Sequence, residues 1–111
     1  MRLTMLVGEA MQLGMNQQGI PVVKINYEEL GNWAYKPNGG KPFLHIHVFG
    51  RASNATKQPF PEAVSLPDRS TGFYDGFEPL TDSDEKEILA NIQDLIKEPK
   101  YLSEAWGLNY N

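Results

Sequence analysis

Phe43-Leu44-His45-Ile46-His47-Val48-Phe49-Gly50 holds the only two histidines of the 111-residue chain, on alternate residues of an apolar run. Alternation is the period of a β-strand, so Phe43, His45, His47 and Phe49 share one face and Leu44, Ile46 and Val48 the other. The aliphatic face reads as the core side. The two imidazoles then stand side by side on the opposite face, about 7 Å apart along the strand. Two such groups on a rigid element suit metal binding, nucleophilic catalysis or proton transfer.

Outward from this strand, expected at about Pro42 to Phe49, the chain supplies a partner. Pro21 opens Val22-Val23-Lys24-Ile25-Asn26-Tyr27, a second strand with β-branched bias. Between the two lie Pro37 and Gly39-Gly40, which are turn residues, so an antiparallel hairpin is expected. Upstream, Leu3, Leu6, Val7, Ala10 and Gly14 recur at helical spacing, and the pattern predicts a helix from Arg2 to about Gln17 that stops at Gly19. Downstream, Thr81 or Asp82 reads as an N-cap. Ile88, Leu89, Ile92, Leu95 and Ile96 then make an apolar stripe that should end near Glu98, ahead of Pro99. Residues 51–80 form a long loop punctuated by Pro59, Pro61, Pro67 and Pro79. It carries Phe60, Phe73, Tyr74 and Phe77, aromatics that suit a loop pinned to a surface. The tail at 100–111 adds Tyr101, Trp106 and Tyr110.

Hydrophobic content of 41% and charged content of 22% imply a packed core rather than disorder. A net charge of −4 with no Lys/Arg cluster argues against nucleic-acid backbone or an anionic membrane as a partner. Without cysteine there is no disulfide, thiolate nucleophile or Cys-type zinc site, which fits a reducing, cytoplasmic setting. No apolar run approaches the roughly 18 residues of a membrane span.

The expected class is α+β, an antiparallel sheet with packed helices. Two strands and two helices make a thin domain, because an isolated hairpin is marginal in water. A strand hidden in the 51–80 loop, a second subunit, or a larger domain of which 1–111 is part would supply the missing edge partners. The third option is the one that Met1, set directly against a helix with no lead-in cap, suggests.

At Phe43 to Arg51 the chain resembles the histidine triad (HIT) family of nucleotide hydrolases and transferases. The family motif is His-φ-His-φ-His-φ-φ, with φ apolar, often followed by Gly or Pro and a basic residue. His45 falls on the middle histidine, the family's nucleophile, and His47 on the third, which supports phosphate binding. Phe43 stands where the first histidine would be. Asn32, eleven residues before Phe43, matches the family's asparagine spacing, with Asn26 as the alternative. Lys41 and Arg51 flank the motif as candidate phosphate contacts. The family's earlier strands, which hold base and ribose, have no counterpart, so the resemblance implies the C-terminal portion of a single HIT-like domain, and a homodimer. It implies hydrolysis or transfer at a nucleoside phosphoanhydride or phosphoramidate through a nucleotidyl-histidine, with no cofactor. The ligand would be a nucleotide-like small molecule.

Other readings stand beside this one. The histidines could be partly exposed strand residues with ordinary hydrogen bonds. With Phe43, the chain could be a catalytically silent HIT-fold module that binds a nucleotide or a protein. His-x-His could also hold a metal if Glu62 or Asp68 completed the set, although catalytic zinc takes three protein ligands. Ser65, Asp68 and Ser70 lack the G-x-S-x-G elbow of a hydrolase. Trp33, Tyr35 and the loop aromatics read as packing before base stacking.

Overall fold

The computed structural model describes residues 1–108, so Tyr110 of the tail lies outside the described residues. The architecture is α+β: helix α1 (Arg2–Gln17), strand β1 (Val22–Glu28), strand β2 (His47–Ala52) and helix α2 (Asp82–Leu95). Short 3-10 turns occupy Asn32–Tyr35, Arg69–Thr71, Pro99–Tyr101 and Ser103–Trp106. The two strands pair antiparallel as a two-stranded sheet.

Helix α1 is the central post. It buries Leu6, Gly8, Ala10, Gly14 and Met15, most of the expected stripe, while Leu3 is 57% exposed. Two of these glycines set how closely its neighbours approach. A Cβ on Gly8 would lie 2.0 Å from the Tyr27 hydroxyl, and one on Gly14 would lie 3.0 Å from the Ile88 backbone nitrogen. The sheet therefore packs on α1 through Tyr27, and α2 packs on it through Ile88. At Gly19 the backbone turns left-handed (φ +82°). Its N–H bonds Asn16 O at 3.0 Å and that of Ile20 bonds Met15 O at 2.9 Å, the paired closure that ends a helix at glycine.

Helix α2 starts at Thr81, whose hydroxyl accepts from the Asp84 N–H at 3.1 Å. The Asp84 carboxylate in turn accepts from the Thr81 N–H at 2.8 Å. This reciprocal cap satisfies two backbone donors and keeps a buried aspartate paired. The helix ends at Leu95, three residues before the expected Glu98, and residues 96–98 form a turn instead.

Strand β1 carries one irregularity. Val22 pairs with Ala52 but Lys24 with Arg51, so Val23 is an extra residue. The bulge explains why Val22 and Ile25, three apart, are both buried when strict alternation would put them on opposite faces. The core comprises Leu6, Ala10, Met15, Val22, Ile25, Ile88, Leu95 and Tyr101, with Met11, Tyr27, Val48 and Ile92 packed against it.

Tyr101, 6% exposed, anchors the tail against α1. Its hydroxyl donates to the Glu9 carboxylate, to which Lys100 also donates at 2.6 Å. Arg2 bonds the Tyr101 carbonyl at 2.9 Å. Lys100 and Tyr101 together hold the Glu9 carboxyl below its usual range. Burial, and then Glu9, push the Tyr101 phenol up.

Two expectations need correction. Strand β2 begins at His47 and not at Pro42: β1 runs out at Glu28, the partner of His47, so residues 42–46 have nothing to pair with. The long loop begins after Ala52 and not at Arg51, because Arg51 and Ala52 pair in β2; residues 53–80 contribute no strand, the first of the three sources considered for an edge partner, and their one regular element among the described residues is the turn Arg69–Thr71. The sheet's edge deficit is therefore real. The Cα radius of gyration is 16.3 Å, against about 13 Å for a compact domain of this length. The accessible surface is 8105 Å², against about 6,200 Å² for a folded monomer of this mass.

Candidate functional site

The histidine face is built by the pairing of β1 with β2. Tyr27 opposite Val48, and Ile25 opposite Gly50, face α1. The alternate residues face away from it, in three cross-strand pairs: Glu28 with His47, Asn26 with Phe49, and Lys24 with Arg51. Upstream of His47 the chain runs on as an unpaired arm, residues 41–46. Leu44 is 82% exposed there and Ile46 39%, because α1 covers their side of the sheet only as far as Val48.

On the outer side four rings form a continuous ladder. Ring centroids are 4.9 Å apart for Phe43–His45, 4.7 Å for His45–His47 and 5.7 Å for His47–Phe49. Backbone spacing alone separates alternate residues by about 7 Å, so the imidazoles lean toward each other, edge to face. His45 Nδ1 lies 2.9 Å from the carbonyl oxygen of Phe43. A carbonyl only accepts, so in this contact Nδ1 carries the proton and donates it. The neutral ring then has its lone pair on Nε2, the tautomer that a nitrogen nucleophile needs. His45 and His47 are both half-buried, open on one side to solvent.

The other expected site residues are dispersed. Asn32 opens the 3-10 turn after β1 and is exposed, as is Lys41 at the root of the arm. Among the described residues no hydrogen bond joins either to a histidine. Arg51 is 6% exposed; it donates to Asn26 Oδ1 at 2.8 Å and to the Glu62 carbonyl at 2.6 Å, and lies 6.0 Å from the Phe60 ring. It shares the histidine face but sits four residues beyond His47. Asn26, the alternative to Asn32, is thus held by Arg51.

The long loop crosses this same face. Residues 60–64 border an open hollow with Lys24, Asn26, Glu28 and Arg51, of about 240 Å³. Further on, Asp68 pairs with Lys36, and Arg69 lies 5.5 Å from the Trp33 ring, whose near neighbour is Lys36 at 4.7 Å. The Lys36 ammonium holds the Asp68 carboxyl well below its usual range. Trp33 therefore serves to clasp the loop to the turn after β1. Phe73, Tyr74 and Phe77 pack on one another, and Tyr74 Oη donates to the Pro67 carbonyl at 2.8 Å. Among the described residues no three His, Cys, Asp or Glu side chains converge to hold a metal ion.

Sequence reasoning missed Glu28, directly across from His47, and the Lys24–Arg51 pair. Both follow from register, and the long turn between the strands leaves register unspecified. No protein-family model, curated protein or solved structure matches the chain. No helix among the described residues is long and apolar enough to cross a membrane.

Proposed function

We propose that the chain is a HIT-like nucleotide hydrolase or transferase acting on a nucleoside phosphoanhydride or phosphoramidate in a reducing cytoplasm. The observation that carries this reading is the contact of His45 Nδ1 with the Phe43 carbonyl, which leaves Nε2 without that bond and beside a second imidazole. Nε2 attacks the α-phosphorus and the bond from phosphorus to the leaving oxygen or nitrogen breaks. The leaving group departs with that electron pair and takes a proton from solvent. Water then attacks the same phosphorus and gives up a proton to solvent, the N–P bond breaks, and its electron pair returns to Nε2. His47, one ring along, donates to the phosphoryl oxygens as charge develops. Lys41 at the root of the arm and Asn32 on the neighbouring turn are the substrate contacts in this reading; Arg51, four residues beyond His47 and bonded to Asn26 and the Glu62 carbonyl, is not one of them.

A homodimer completes it. The surface exceeds that of a compact monomer by about 1,900 Å², which is within the range that one partner buries in an obligate interface, roughly 1,000–2,500 Å². The unpaired arm with Leu44 and Ile46 is the part of the sheet most in need of cover.

A second reading is favoured by Phe43, 72% exposed, which puts an apolar ring where the family has an imidazole. In it the chain is a silent HIT-fold module that binds a nucleotide or a protein without turnover. Intact-mass measurement after brief incubation with an adenosine phosphoramidate, quenched without acid, separates the two. A nucleotidyl adduct on the wild type and none on His45→Ala is expected. Intact substrate and no adduct on either would sink the enzymatic reading in favour of the module.

A further inference from the structure

Arg51 is a buried guanidinium whose hydrogen bonds go to neutral acceptors, the Asn26 side chain and the Glu62 carbonyl. Among the described residues no carboxylate lies within 4.0 Å of it or of Lys24. Buried charges are ordinarily paired, because a cation taken out of water needs a counter-charge to offset its lost hydration.

The register makes the imbalance greater. Lys24 is the direct cross-strand partner of Arg51, on the same outward face. Side chains so placed have Cβ atoms about 5 Å apart, and like charges there repel. A buried Arg51 and an exposed Lys24 thus face each other, neither with an ion-pair partner among the described residues, and both border the open hollow that Phe60, Pro61 and Val64 also line. Arg51 also borders a second hollow, beside Lys57 and Gln58. The guanidinium has five N–H donors in a planar fork, and two hydrogen bonds leave donors over.

We infer that the Arg51–Lys24 pair is a binding site for a phosphate-like dianion, the Arg51 fork and the Lys24 ammonium contacting its oxygens from adjacent strands. Glu28 and Glu62 border the same hollow without pairing to either cation. An anion therefore has to reach the Arg51 fork and the Lys24 ammonium past these two carboxylates. Four residues of strand separate Arg51 from His47, about 13 Å. The site is therefore distinct from the histidines and stands whether or not His45 is a nucleophile.

The probe is inorganic phosphate at neutral pH, titrated at constant ionic strength against chloride and followed by backbone amide and arginine Nε–H shifts. Saturable shifts confined to Lys24, Asn26, Arg51 and residues 62–64 are expected, together with at least a threefold weaker Kd in Lys24→Gln and an unchanged Kd in His45→Ala. Shifts centred on His45 and His47, shifts matched by chloride, or an unaltered Kd in Lys24→Gln would each overturn the assignment. Arg51→Lys keeps the charge and removes the fork, and should weaken binding further. Should that variant fail to fold, the wild-type map and Lys24→Gln still decide.

Discussion

The two faces of the β1–β2 hairpin differ in what covers them. On one, Tyr27, Val48 and Ile25 lie under α1, which is backed by α2 and strapped by Tyr101. On the other, a ladder of two phenylalanines and two histidines stands beside a cationic pair, covered at one end by an irregular loop and open at the other. One strand serves both faces because its side chains alternate. Residues that fix the fold and residues that offer chemistry can therefore be changed separately, although they are neighbours in sequence.

The sharpest break between the faces should come from His45→Ala. On the proposed function it should abolish nucleotidyl transfer to the protein while changing the urea unfolding free energy by less than about 0.5 kcal/mol, since the ring is half-exposed and its one bond is local. A large loss of stability would mean that the ladder holds the fold. On the other face, Leu6→Ala should cost about 2–5 kcal/mol in urea unfolding, because the side chain is 2% exposed at the centre of the core. A cost below 1 kcal/mol would mean that α1 is not the post on which the sheet rests.

The tail strap provides a pH test of the covered face alone. Glu9's carboxyl is held low in the folded protein, first by Lys100 and then by Tyr101, so its contribution is present above its ordinary pKa of 4.5 and disappears as pH falls through the lowered folded value. Tyr101 is displaced upward from 10.0, chiefly by burial, so its contribution persists up to pH 10 and is lost only as pH rises through the raised value. Thermal melts of wild type and Glu9→Gln should differ between pH 5 and pH 10 and draw progressively together as pH falls below about 4, the lower end of the ordinary carboxylate range. A constant difference at all pH values would remove the strap from the account. The smallest effect belongs to the arm: Leu44→Ser, at a position 82% exposed, should leave the unfolding free energy of a dilute monomer within about 0.5 kcal/mol. A larger loss that grows with protein concentration would show the arm covered by a second copy.

Local signals carried much of this arrangement. The α1 stripe, the stop at Gly19, the Thr81 cap and the face shared by Phe43, His45, His47 and Phe49 all follow from spacing and backbone chemistry within a few residues. What spacing could not supply was pairing. Alternation from Phe43 to Phe49 assigns faces but does not say where a partner strand ends, so the strand starts at His47 although the pattern begins earlier. The extra residue at Val23 leaves no mark in composition, yet it places Lys24 opposite Arg51 and Glu28 opposite His47. Tyr101 was readable as an aromatic but not as an anchor, because its partners Glu9 and Arg2 lie more than ninety residues away.

The ring ladder has a consequence for how the arm would meet a neighbour. An unpaired extended segment ordinarily samples many backbone conformations, and fixing each residue costs about 1–2 kcal/mol of conformational entropy. Here successive rings touch along residues 43–49, and each contact restricts that freedom through the side chains. A strand arriving along that edge would meet a template already set, and would bear mainly its own ordering cost.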